Sequence, residues 1–129
     1  EFSKALPGVK ELLDKLVDYG IPVTIATTDL TERAKLAMEA IQLKDVFSVI
    51  AGGNCAKSAK PAPDLVHFIC KKMGVDEKNT VVVGDSIVDL KMASNAGARF
   101  IGVKTGLYSE EFIETSEFLV ETLEQIRIE

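Results

Sequence analysis

The residue pattern predicts an α/β fold, a doubly wound three-layer parallel sheet, and three observations carry that expectation. Amphipathic helical stretches alternate with short β-branched runs in the order helix, strand, helix, strand, helix, strand, helix, strand. The run Val81 to Val83 is continuously apolar, as in strands covered on both faces. The runs end in small, hydroxyl or acidic residues: Thr27-Thr28-Asp29, Gly52-Gly53 and Gly84-Asp85. In parallel sheets such ends share one edge, where ligands bind.

Each element has its own warrant. Glu1 to Leu6 form a lead-in whose Glu1-Phe2 is compatible with a cloning remnant. After Pro7 and Gly8, the residues Val9, Leu12, Leu13, Leu16 and Val17 share one helical face, and Gly20 is the stop. Val23 to Thr28 reads as a strand. Asp29 and Glu32 resemble a capping box for a helix whose core face is Ala34, Ala37, Met38 and Ile41. Val46 to Ala51 reads as another short strand, ended by Gly52-Gly53. The irregular loop GGNCAKSAKPAP follows, carrying Lys57 and Lys60. Pro63 suits the first turn of a helix with an apolar stripe of Leu65, Val66, Ile69, Cys70 and Met73, closed by Gly74. His67 lies off that stripe and reads as a surface residue without a role. The stretch TVVVGDSIVDL from Thr80 is a strand, a tight turn and a helix continued by Leu90, Ala93 and Ala96 to Gly97. A strand at Phe100 to Val103, a loop with Gly106, an acidic helical stretch around Glu110 to Glu114, a strand at Phe118 to Val120 and a terminal helix complete the pattern. One domain over residues 1–129 is expected.

Composition excludes several classes. With 47% hydrophobic and 27% charged residues the chain is ordinary for a globular protein. A net charge of −5 supplies no field for nucleic acid or an anionic membrane, so any anion must be held by a local site. Cys55 and Cys70 are too far apart for a C-x-x-C pair; reduced thiols are expected, with Cys70 buried. No run approaches a membrane span and no signal segment is seen, which makes cytoplasmic the default.

The chemistry-bearing residues sit at the predicted strand ends. Asp85 closes a strand, and Asp89 comes back to the same mouth one helical turn later; Gly84 permits the turn and leaves room. Two converging carboxylates suit a hard cation such as Mg²⁺. The alternative is that Asp85 caps the helix and Asp89 is a first-turn acid favoured by the helix dipole. In a parallel sheet Thr27, Lys60 and Asp85 can meet. A hydroxyl, an ammonium and a carboxylate holding a cation would together bind phosphate. Order in the chain argues against a receiver-type phosphoacceptor domain, in which acids come first and the lysine last. No G-x-G-x-x-G follows a strand, which argues against dinucleotide binding.

The segments PGVKELLDKL with IPVTIATTD, then KPAPD, then VVVGDSIVDLKMASNAGARFIGV, closely resemble the haloacid dehalogenase superfamily, in its phosphoglycolate phosphatase and β-phosphoglucomutase-like branch. The resemblance covers nearly the whole chain. It implies a Rossmann-like core and a Mg²⁺-dependent phosphomonoester hydrolase acting through an aspartyl-phosphate on a small phosphorylated metabolite. By the same resemblance, Thr27 binds the transferring phosphoryl group with Thr28 beside it. Lys60 holds the phosphoryl group and nucleophile together, Asp85 is a Mg²⁺ ligand, and Asp89 is a second acid that acts through water or as an orienter.

The family's first motif, a central strand ending in D-x-D that supplies the nucleophile and the general acid, has no counterpart: no D-x-D occurs in the chain. Nor is there a cap domain to choose a substrate. The chain is therefore expected to be the carboxyl-terminal portion of the core, lacking the first central strand and inactive alone. A mutase of the same branch and a catalytically dead binding or assembly module are the alternatives. Without that strand, Val23 to Thr27 is expected to pair directly with Thr80 to Val83, or a homo-oligomer or complementing chain fills the position. Leu107 and Tyr108 read as packing residues near the last strand end.

Overall fold

The computed structural model describes residues 8–104, 110–116, 118–121, 125 and 126. The elements are α1 (Val9–Asp18), β1 (Thr24–Ala26), α2 (Thr31–Ala40), β2 (Val49–Ala51), α3 (Asp64–Met73), β3 (Val81–Gly84), α4 (Ile87–Ala96), β4 (Arg99–Val103), α5 (Glu110–Thr115) and β5 (Phe118–Val120). The alternating order is that of the sequence pattern, and every strand pair is parallel. The expected glycine stops hold: Gly20, Gly74 and Gly97 adopt left-handed φ of 71°, 69° and 81°, which a side chain would strain. Short 3₁₀ turns at Lys44–Val46, Gly53–Cys55 and Glu77–Asn79 occupy the connections. The first of these shortens the strand expected from Val46. The terminal-helix expectation falls largely, and Gly106, Leu107 and Tyr108 wholly, outside the described residues.

The expected direct pairing of β1 with β3 does not form. β1 pairs with β2 in one sheet, and β3, β4 and β5 form a second. The amide of Thr27 and the carbonyl of Val23 bond toward the β2 side, so Thr24 and Ala26 turn their backbone groups the other way. The amide of Arg99 bonds to the Thr80 carbonyl, so Val81 and Val83 likewise turn theirs away from β4. Among the described residues neither free edge has a backbone partner.

A shared helical floor explains why the sheets remain neighbours without pairing. Leu65, Val66, Ile69 and Cys70 of α3 and Met92 and Ala96 of α4 form one buried cluster with Ala51, packed against Ala26 and Val49 of the first sheet and Val82 of the second. Ala93, Phe100 and Phe112 form a second cluster under β4, in which Phe112 meets Phe100 edge to face at 6.0 Å. Gly102 is necessary there, since a Cβ would lie 2.8 Å from the Phe112 ring. On the opposite face of the first sheet, Ile25 and Thr27 meet Ala34, Ala37 and Met38 of α2 around a cavity of about 110 Å³. That sheet is covered on both faces. Val81 and Val83, by contrast, are 49% and 44% exposed, while Val82 between them is packed.

Candidate active site at the strand ends

The end of β1 folds into a turn closed by its own side chains. The amide of Asp29 donates to Thr27 Oγ1 at 3.2 Å, and the amide of Leu30 donates to Asp29 Oδ1 at 2.8 Å. Asp29 therefore does not form the expected capping box with Glu32. It is spent on Leu30, the residue at the N-cap, while Glu32 pairs with Lys35. The hydroxyl hydrogen of Thr27 remains available to donate, because a hydroxyl accepts and donates at once. Thr28 follows, exposed.

The loop after β2 braces this turn from the side. Gly53 N donates to Asp29 O at 2.7 Å and Gly52 N to Thr31 Oγ1 at 2.9 Å, while Asn54 Oδ1 accepts from both the amide and the hydroxyl of Thr31. The approach needs glycine: a Cβ at Gly52 would stand 2.2 Å from the amide nitrogen of Thr31, and one at Gly53 2.6 Å from the Thr28 carbonyl oxygen. Cys55 Sγ lies 3.3 Å from Thr31 Oγ1, and Cys70 is buried; neither is in a disulfide.

Lys60 joins the two sheets. Its Nζ donates to the carbonyl of Ala26 at 3.1 Å and to Asp89 Oδ1 at 2.8 Å. The pair is largely sheltered, with side chains 13% and 17% exposed. An ammonium carries three N–H donors, so one is left to face a ligand. The other Asp89 oxygen, Oδ2, accepts from Ser86 Oγ at 2.9 Å. Gly84 provides the space, since a Cβ there would fall 2.7 Å from the Asp89 Cβ.

Ser86, not Asp85, is the N-cap of α4: its backbone is extended and its hydroxyl accepts from the Asp89 amide at 3.3 Å. Sequence reasoning passed over Ser86, although Ser86-Ile87-Val88-Asp89 carries the S-x-x-D spacing of a capping box. Asp89 does occupy the first turn, as the helix-dipole reading required. Freed of a capping role, Asp85 is exposed at the end of β3 and has no hydrogen bond or ion pair among the described residues.

The structure thus joins Lys60, Asp89 and Ser86 directly, with Asp85 immediately before Ser86 at the end of β3. Thr27 and Thr28 stand one and two residues beyond the Ala26 carbonyl that anchors Lys60, without a hydrogen bond to Lys60 or the two acids. Pro63 is at the N-cap of α3 rather than inside its first turn. His67, given no role, is half exposed but bonded through Nδ1 to Glu77 Oε2 at 2.6 Å. The hydrogen bond from His67, followed by Glu77's own backbone amide, holds the Glu77 carboxyl below its usual range. No described helix is long and apolar enough to cross a membrane.

Comparison with known proteins places the chain in a family. The profile of the haloacid dehalogenase-like hydrolases matches residues 1–103. A probable phosphatase of Dickeya dadantii, IndB, is 31% identical over 122 residues, which are 93% of this chain and 53% of that protein. The phosphoglycolate phosphatase of Escherichia coli is 31% identical over 111 residues, 86% of this chain and 44% of the relative. A solved structure from Haemophilus somnus, described as a predicted phosphoglycolate phosphatase, superposes with a TM-score of 0.86 at 25% identity, covering 94% of this chain and 55% of that one. The chain spans about half the length of the curated relatives it matches. With most of its length matched by the family profile, and with the lysine and the two acids of the expected motifs brought to the strand ends, the chain belongs to the haloacid dehalogenase-like hydrolase family.

Proposed function

We propose that this chain is the phosphate- and metal-binding portion of a Mg²⁺-dependent phosphomonoester hydrolase and does not turn over by itself. The observation that carries the reading is the bridge from Lys60 to Ala26 and Asp89, with the uncommitted carboxylate of Asp85 beside it. The third N–H of Lys60 donates to a phosphoryl oxygen, and the Thr27 and Thr28 hydroxyls with the Thr28 amide add donors from the neighbouring strand end.

Asp85 fits Mg²⁺, which takes one or two carboxylates and fills its other positions with water and phosphate oxygens. When bound, the ion supplies charge neutralisation at the phosphoryl group. Asp89 has both oxygens engaged, so its part is to orient Lys60, with any metal contact made through water.

The attacking carboxylate, which in the family forms the aspartyl-phosphate, comes on this reading from a strand laid between β1 and β3. The two unpaired edges and the bare Val81 and Val83 support it, because a strand there would pair both edges and bring cover for those side chains. A small phosphorylated metabolite is the substrate class, and phosphoglycolate, named for the Escherichia coli relative, is the first to try.

The test compares Mg²⁺-dependent hydrolysis of an aryl phosphate by this chain and by the longest reading frame that contains it. Activity confined to the longer protein and lost on Asp85→Ala is the expected result. Absence of activity from both would turn the assignment to a binding or assembly module.

A further inference from the structure

We propose that Asn95 is a positioning residue for Lys60, acting through the backbone of Pro61. The inference rests on the reading of Lys60 as the phosphate-binding ammonium, but its geometry is independent of that reading. From Ala56 to Pro63 the chain has no regular element. Its internal hydrogen bonds are local: Ala62 N to Ala59 O at 3.0 Å, and Ser58 N to Asp64 Oδ2 at 3.0 Å. Among the described residues, two hydrogen-bonding ties reach from this segment to distant parts of the fold. One is the Lys60 ammonium on Ala26 and Asp89. The other is Asn95 Nδ2, which donates to the carbonyl of Pro61 at 2.9 Å.

Both ties converge on α4. Asp89 and Asn95 lie six residues apart on that helix, about 9 Å along its axis at the usual rise. Met92, Ala93 and Ala96 between and beside them are buried, so α4 is a fixed bar. It grips the side-chain end of Lys60 at Asp89 and the backbone just past its Cα through Asn95. Pro61 has no N–H, so its carbonyl is the single main-chain handle at that position. Lysine has four rotatable side-chain bonds and loses much freedom when held. With the backbone tie released, the ammonium would sample positions off the line between Ala26 and Asp89. Asparagine is also a poor helix former, and this hydrogen bond offsets that cost at an exposed position where alanine would otherwise serve better.

The test is trace acylation of the intact chain with acetic anhydride, read by peptide mass spectrometry. Lys57, exposed on the same loop, is the internal reference. In Asn95→Asp, nearly isosteric but without the amide donor, labelling of Lys60 relative to Lys57 should rise roughly fivefold, the population shift expected for one lost hydrogen bond. Asn95→Gln, which keeps the donor, should recover part of the protection. An unchanged ratio in Asn95→Asp overturns the proposal. So does a parallel rise at Lys60 and Lys57 with a lowered urea midpoint, which would mark a merely structural tie. Because labelling needs no turnover, failure of the phosphatase reading would leave this outcome standing, and the reverse holds equally.

Discussion

The two sheets of this molecule are built from the same kinds of residue and finished differently. Around β1 and β2, α2 covers one face, α3 the other, and at the strand ends the main chain at Gly52 and Gly53 packs directly on the turn after β1, Gly53 N bonding to Asp29 O and Gly52 N to the Thr31 hydroxyl. Around β3, Val82 faces the helical floor while Val81 and Val83 stand in solvent, and the strand end is held by side chains, Ser86 and Lys60 on Asp89. A continuous valine run on a strand with one bare face is a surface composed for cover that the described residues do not provide. The first sheet has both faces covered within this chain, though among the described residues the far edge of β1 is unpaired. In the second, the outer face of β3 has the composition of an interior and the exposure of a surface.

Adding one carbon at the corresponding glycines should separate the halves most sharply. At Gly52 a Cβ would strike main-chain atoms of Thr31, Asp29 and Leu30 at 2.2 to 2.7 Å, none of which can rotate away. Gly52→Ala should destabilise by about 3 kcal/mol or more, at the upper end of overpacking costs. At Gly84 the added carbon meets the Asp89 carboxyl at 2.8 to 2.9 Å, which can turn aside. It also meets the Asp89 Cβ at 2.7 Å, which clears only if the first turn of α4 gives by a few tenths of an ångström. Gly84→Ala should lose about 1–2 kcal/mol, within the ordinary range for such insertions, and release Lys60 from its carboxylate. Urea unfolding measures the first effect, and the labelling ratio of Lys60 reads the second. Equal stability losses at the two sites would erase the distinction between a strand end packed against main chain and one packed against a side chain.

How much of this was legible beforehand follows from the range of each interaction. The helices and their stops could be read because an apolar stripe and a terminal glycine are local signals, as at Leu65 to Gly74. Thr27 and Asp85 could be singled out because each directly follows a strand, whereas Lys60, in the irregular loop after β2, is singled out by the resemblance of KPAPD to a family motif. The split of the sheet could not, since nothing in the composition of β1 or β3 states which edge will find a partner. Similarly, Asp89 offered its carboxylate to a cation in the sequence, yet in the fold Lys60 and Ser86 reach it across 29 and 3 positions of chain. The S-x-x-D spacing was the local half of that fact. The lysine half, like the tie from Asn95 to Pro61, exists only once α4 lies against the loop.

The bare face yields a smaller and more discriminating effect. In this chain Val81 and Val83 keep 49% and 44% of their surface in water, so Val81→Thr with Val83→Thr should shift stability by no more than about 0.5 kcal/mol per site, the usual range for surface changes. In a longer protein whose added segment covers them, the same pair should cost about 1–3 kcal/mol, because each hydroxyl would then be buried. Chemical denaturation of both proteins measures the contrast. Identical small effects in the two lengths would mean that the face stays in solvent and the second sheet is complete as it stands.

The least of the expected effects concerns a clip between the halves. His67 lies on α3, which floors the first sheet, and Glu77 opens the turn that leads into β3 of the second. An ionised carboxylate only accepts, so His67 Nδ1 carries the shared hydrogen. Glu77 has its pKa lowered on folding, chiefly by the hydrogen bond from His67. The sign follows from linkage: the folded state binds the proton less readily than the unfolded chain. The contribution is therefore fully present above the ordinary glutamate value of 4.5 and fades as pH falls through the lowered value. Glu77→Gln should remove that part of the acid-side loss, bringing the urea midpoints at pH 7 and pH 3 slightly closer together than in the parent chain. His67→Gln, which deletes the main cause of the shift while keeping the carboxylate, should do much the same. If only Glu77→Gln flattened the profile, the turn's own backbone amide would be what lowers the pKa, and the clip would contribute nothing to holding the second sheet against α3.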